Sequence, residues 1–197
     1  MPGHLIAFEG LDQSGKQTQA ERLCAALARA GHTVQQLSFP DYQTAIGAEI
    51  GRALQGEREY AADTLQLLYI ANRYEFRPRI DAWLAAGAMV VCDRYLASSV
   101  AYGEAQGLDA AWVIDVQRGL PQPSLTILLD IEPEASLRRK QVARDKFERD
   151  LALLARVATA YRRLSERPGW VRVDGRQDKD EVSGAVLSAL RTRLALP

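Results

Sequence analysis

The sequence predicts a single α/β domain of three layers, and three observations carry that reading. Short apolar runs of strand length recur at 5–8, 34–39, 89–92, 125–129 and 171–173. Longer stretches with apolar residues at helical spacing separate them, and strands alternating with helices build a parallel sheet. The runs 89–92 and 125–129 are nearly unbroken in apolar residues, the pattern of central strands covered on both faces. A five-stranded parallel sheet flanked by helices follows. With 197 residues, 47% hydrophobic and 25% charged, the chain can bury one full core. No repeat, low-complexity tract or linker divides it, so residues 1–197 are read as one domain.

In chain order, Leu5-Ile6-Ala7-Phe8 forms the first strand and leads into a glycine-rich loop. Beyond the loop Ala20, Leu23, Cys24 and Leu27 recur at helical spacing, with Glu21, Arg22 and Arg29 on other faces and Gly31 as the stop. The second strand follows at 34–39. Asp63 is read as the N-cap of a long helix carrying Leu67, Leu68, Ile70 and Ala71. Pro78 is expected to break or bend that helix before Ile80, Trp83 and Leu84, and Gly87 to end it. Further helices are expected near 110–118, 134–143, 148–167 and 180–194, the last amphipathic.

Acidic and basic residues number 25 each, so no net field recruits nucleic acid or an anionic membrane, and any anion site must be local. The expected partner is therefore small. Met1-Pro2-Gly3-His4 passes straight into a strand with no basic leader or long apolar stretch, which gives the expectation of a cytoplasmic protein without membrane insertion. Cys24 and Cys92 lie far apart in apolar segments and are read as reduced, buried thiols.

Such a local anion site is present in Gly10-Leu11-Asp12-Gln13-Ser14-Gly15-Lys16-Gln17-Thr18. Its glycines let backbone N–H groups converge on phosphate oxygens, Lys16 supplies a point charge, and the helix opening beyond adds orphan donors and its positive dipole end. This is a P-loop with one departure. The position after the lysine, where a hydroxyl ligates Mg²⁺ in the usual pattern, holds Gln17, and Thr18 stands one residue further on. One residue along a helix turns the side chain by about 100°, so the Thr18 hydroxyl is expected to face elsewhere.

The strand Val90-Val91-Cys92 ends in Asp93-Arg94-Tyr95. An acid at the end of a central strand beside the loop can hold Mg²⁺ or its waters, and the neighbouring arginine can bind a second phosphate. Phosphoryl transfer between two anionic ligands follows. No Asn-Lys-x-Asp sequence exists to read guanine, and the only histidines, His4 and His32, are badly placed to activate a serine. A GTPase and a covalent hydrolase are therefore both disfavoured.

These residues carry a family resemblance. Phe8-Glu9-Gly10-Leu11-Asp12 with Ser14-Gly15-Lys16, then Phe39-Pro40, Ala71-Asn72-Arg73, and the segment from Asp93-Arg94-Tyr95 through Ala101-Tyr102 resemble thymidylate kinase in order and spacing. Leu128-Leu129-Asp130 with Pro133-Glu134, and Lys146-Phe147-Glu148, resemble that family's later strand and lid. The resemblance implies a P-loop nucleoside monophosphate kinase fold, a short lid near 138–149, ATP as phosphoryl donor, Mg²⁺, phosphorylation of dTMP to dTDP for dTTP synthesis, and a homodimer.

Carried over position by position, it implies that residues Gly10 to Thr18 bind ATP and that Asp12, Phe39, Pro40, Tyr42, Tyr69, Arg73, Arg94, Ser98, Ser99 and Tyr102 bind the acceptor. Tyr69 would stack on the base and Arg73, four residues on and on the same helical face, would donate to a base carbonyl. Tyr102 would lie against the deoxyribose, and Ser98 and Ser99 near the base edge. Lys16, Arg94, Asp12 and the lid arginines Arg138, Arg139 and Arg144 are the catalytic candidates, and Asp12 and Asp93 the metal candidates. Cations delivered by a closing lid would stabilise the migrating phosphoryl group and exclude water. Asp41 and Gly103 depart from the family pattern, where arginine and a polar residue are common, which leaves a phosphate contact and a base or sugar contact open. A kinase for another pyrimidine nucleotide or a deoxynucleoside, or a nucleotide-binding homologue weakened in catalysis, is the alternative.

Overall fold

The computed structural model describes residues 3–139 and 150–194. Five strands, β1 (His4–Glu9), β2 (Val34–Ser38), β3 (Met89–Asp93), β4 (Leu125–Asp130) and β5 (Trp170–Asp174), form one parallel sheet in the order β2-β3-β1-β4-β5. The helices are α1 (Lys16–Arg29), α2 (Ala45–Gln55), α3 (Ala62–Ala85), α4 (Leu96–Ala105), α5 (Ala110–Asp115), α6 (Pro133–Arg139), α7 (Leu151–Leu164) and α8 (Lys179–Leu194).

Alternation along β1 divides the core. Ile6 and Phe8 pack with Ala20, Leu23 and Leu27 of α1 and Val182, Val186 and Leu190 of α8. Leu5 and Ala7 point the other way, toward Phe39, Tyr95 and the α3 residues Phe76 and Ile80. A third cluster joins α4, α5 and α7 beneath Leu128 through Val100, Val113, Leu154, Val157 and Tyr161. Three layers result, and each fully buried Leu or Val stabilises them by roughly 1.5–3 kcal/mol.

Several boundaries differ from the sequence reading. The N-cap of α3 is Ala61; Asp63 sits in the first turn, its carboxylate accepting from Thr64 N at 2.6 Å. Pro78 does not break α3, which runs through it to Ala85. Arg77, Pro78 and Arg79 are all exposed, so the proline ring lies on the face of α3 away from the core. Helix α5 stops at Asp115, short of 118. Helices α2 and α4 were not expected. Cys92 is buried and Cys24 half-buried, both free. The expected helix at 134–143 is α6, described to Arg139, and 140–149, which includes Arg144 and Lys146, lies outside the described residues.

Candidate active site

The order places β1 between β3 and β4, so the direction in which successive strands are added reverses beside β1 and a crevice opens beyond the carboxyl ends of the strands. Register pairs Phe8 with Asp93, which sets the loop after β1 beside the turn after β3. Gly15, at φ 97°, caps α1 and turns its N-terminus toward the crevice. Lys16 is 6% exposed and donates from Nζ to Leu11 O at 2.8 Å. Burial drives its ammonium down to about 8, helped by the Arg94 charge and opposed by Asp12 and Asp93.

Arg94 adopts φ 64°, a left-handed conformation that costs a non-glycine residue about 1–3 kcal/mol. The fold holds it there. Its backbone N–H donates to Phe8 O at 2.9 Å, and Nη1 donates to Gly10 O at 3.1 Å and Ser98 Oγ at 3.2 Å. Nη2 donates to Asp12 Oδ1 at 2.7 Å, and the guanidinium lies over the Tyr102 ring, 5.7 Å from its centroid.

Two clefts share Asp12, Phe39, Pro40, Tyr42 and Arg94. One is bordered by Gln13, Gly15, Lys16, Gln17, Thr18 and Asp93; the other by Gln66, Tyr69, Arg73, Ser98, Ser99 and Tyr102. All the acceptor residues suggested by the sequence thus line one cavity. Tyr42 is exposed at its mouth, and Tyr69 is half-buried. Arg73 is 2% exposed, beside the Phe39 ring, and donates from Nη1 to Ser99 Oγ at 2.8 Å, while its Nε has no partner among the described residues.

The metal candidates differ. Both Asp12 oxygens are engaged, by Arg94 and by the Tyr102 hydroxyl at 3.2 Å. Asp93 Oδ1 is buried with no partner among the described residues and belongs to an acid bordering the Lys16 cleft. Gln17 turns along α1 to donate from Nε2 to Glu21 Oε1 at 3.0 Å. Thr18, expected to face elsewhere, also borders the cleft.

Of the lid arginines, Arg139 donates to Gln13 O at 3.0 Å and Gly175 O at 3.1 Å, clasping the loop, and Arg138 is exposed in the last turn of α6. Asp41 N donates to Asn72 Oδ1 at 2.8 Å. Gly103 is buried between α4 and its neighbours; a Cβ there would meet Val113 Cγ2 at 3.2 Å.

Sequence reasoning missed two residues. Glu9 is fully buried and accepts four hydrogen bonds: Tyr95 N at 2.9 Å, Ser98 N at 3.2 Å, Ser98 Oγ at 2.6 Å and the Tyr161 hydroxyl at 3.0 Å. It caps α4 from another element, an anion at a positive helix end. No local signal marks it, because its partners lie 86 to 152 residues away. The other is Gln66, a buried amide on the face of α3 that carries Tyr69 and Arg73.

Fold and site together define a P-loop phosphotransferase with adjoining anion and acceptor clefts. A family model for thymidylate kinase matches residues 8–186. The thymidylate kinase of Arabidopsis thaliana is 34% identical over 91% of this chain and 68% of its own length. That of Plasmodium falciparum is 31% identical over 94% and 88%. The solved structure of thymidylate kinase from Candida albicans superposes with a TM-score of 0.87 at 29% identity, covering 97% of this chain and 92% of that one. The chain belongs to the thymidylate kinase family.

Proposed function

We propose that the protein transfers the terminal phosphoryl group of ATP to dTMP, giving dTDP, and that Arg94 carries the reaction's geometry. The supporting observation is that one guanidinium, fixed by a strained backbone and five acceptors or ring contacts, borders both clefts. The loop N–H groups and Lys16 hold the ATP phosphates, and Arg94 holds the acceptor phosphate facing them. Asp12 orients Arg94, and Tyr69, Arg73, Ser98, Ser99 and Tyr102 seat the nucleoside. The acceptor phosphate, whose second pKa is near 6, is already a nucleophilic anion at neutral pH. Positioning and charge stabilisation then do most of the catalysis, without a general base. Arg138, Arg139 and Arg144 supply cations to the migrating group.

The residues present fit a Mg²⁺ ion: Asp93, which borders the Lys16 cleft, offers a buried oxygen with no partner among the described residues, and Mg²⁺ needs only one or two carboxylates plus phosphate oxygens and waters. When bound it would neutralise phosphate charge. The protein is expected to work as a cytoplasmic homodimer. A coupled assay with ATP and Mg²⁺ across dTMP, dUMP, dCMP, UMP and thymidine tests the reading. Turnover of dTMP above the others supports it. Turnover of thymidine alone favours a nucleoside kinase, and inactivity on every monophosphate, with nucleotide still bound, favours a binding protein.

A further inference from the structure

Gln66 is 1% exposed and its Oε1 has no hydrogen-bond partner among the described residues. It stands three residues before Tyr69 and seven before Arg73 on α3, one helical face, and all three line the acceptor cleft with Ser99. Helix α4 confines it, since a Cβ on Gly103 would meet Gln66 Cγ at 3.6 Å. Burying an acceptor without a partner is costly, and native proteins keep such groups chiefly where something else comes to pair with them.

The neighbouring polar groups define that something. Arg73 carries donors only, and the Ser99 hydroxyl oxygen already accepts from it at 2.8 Å. This end of the cleft can therefore serve a base carbonyl through Arg73, and the Gln66 amide brings to it a buried acceptor that has no partner among the described residues. A thymine or uracil ring presents an imide edge, with N3–H between the O2 and O4 carbonyls. Cytosine presents a lone pair at N3 instead. A primary amide offers one acceptor beside one donor, the complement of N3–H with an adjacent carbonyl.

We propose that Gln66 is a specificity-determining residue that reads the imide edge of the acceptor base, its amide oxygen accepting the hydrogen bond from ring N3–H. The proposal rests on the dTMP kinase reading and adds the group that separates thymine and uracil from cytosine. A site built around a hydrogen bond rejects a ligand that cannot make it, because the site's own polar group is then left unpaired.

The test compares dUMP with dCMP, which differ only in the polar groups at ring positions 3 and 4. Gln66→Met keeps the length of the side chain and removes both polar atoms; Gln66→Leu repeats the removal with different packing; Gln66→Glu keeps an acceptor at the same reach. Thermal unfolding of each variant verifies folding. Measured as kcat/KM, the preference for dUMP over dCMP is expected to fall about tenfold in Gln66→Met and Gln66→Leu, with KM for ATP unchanged. Gln66→Glu is expected to retain it. A preference unchanged in a folded apolar variant, or an equal loss for both nucleotides, overturns the proposal and leaves Gln66 a packing residue. If the parent turns over no monophosphate, the function reading falls first and this one with it; a parent active on dTMP with an unchanged ratio in the variants overturns this proposal alone.

Discussion

The Arg94 guanidinium donates to Asp12 at 2.7 Å, tying the turn after β3 to the loop after β1. Burial would raise the Asp12 carboxyl, but the Arg94 and Lys16 charges outweigh it and hold it well below the usual carboxylate range. Asp12 is therefore ionised across the working pH range. Removing one partner of a fully buried pair costs about 3–5 kcal/mol. With side chains 15% and 29% exposed, solvent screening reduces the expected loss for Arg94→Met to about 2 kcal/mol. Urea unfolding should register that loss, and kcat/KM for dTMP should fall at least about 100-fold. Adding Asp12→Asn should restore most of the stability and none of the activity.

Glu9 is predicted to be the residue on which the acceptor wall depends. It holds Tyr95 N, Ser98 N and two hydroxyls, and α4 carries Ser98, Ser99 and Tyr102 into the cleft. Glu9→Gln keeps the shape but turns an amide NH₂ toward groups that need an acceptor. The expected loss is about 2–3 kcal/mol in urea unfolding, since hydrogen bonds to a charged group are each the stronger kind. KM for dTMP should rise while KM for ATP changes little. An equal change in both would place the role of Glu9 in global folding.

The features that failed to declare themselves in the sequence did so for distinct physical reasons. The phosphate loop and the β3 terminus are local patterns: glycines, a lysine and an acid at the end of an apolar run. Helix α2 is not, because its interior holds two glycines, Gly47 and Gly51, which are poor helix formers. Gly47 is required there by a close approach, since a Cβ would lie 1.7 Å from Asp41 O. The expected break at Pro78 does not occur, because local propensity carries no knowledge of which helix face meets water. Glu9 and Gln66 were invisible as site residues for a third reason, that a buried polar group gets its role from partners brought to it by the fold. Gln17 was visible as an anomaly, but only its turn toward Glu21 says where its amide goes.

That turn gives a prediction about the metal. With the Gln17 amide engaged along the helix and Asp93 Oδ1 without a partner among the described residues, Asp93 should hold Mg²⁺ or its waters. Asp93→Asn is expected to raise the Mg²⁺ concentration for half-maximal rate by about tenfold or more, as loss of a charged ligand should. Gln17→Ser should shift it less than about threefold, because phosphate oxygens and waters complete the shell. A titration of rate against Mg²⁺ at saturating nucleotide decides. A large gain in metal affinity from Gln17→Ser would assign the missing hydroxyl more weight than Asp93.

Lys16 makes nucleotide binding depend on pH, and the sign follows from its burial. Burial first, and Arg94 second, push its ammonium down to about 8 in the free protein, from an ordinary value near 10.4. ATP phosphates beside it favour the charged form, so its pKa rises in the complex. Below pH 8 the free protein already carries the proton that binding needs. Above it, each binding event must take one up, and affinity falls. From pH 7 to pH 9 the Kd for ATP should rise about tenfold, the fraction of protonated Lys16 in the free protein falling by that factor. Calorimetry in buffers of different ionisation enthalpy should show proton uptake near pH 9 and little at pH 6.5, where ATP itself still titrates and is subtracted by a blank. Lys16→Met should bind ATP weakly at every pH and lose the uptake. Uptake that persists in Lys16→Met would assign the titration to another group at the cleft.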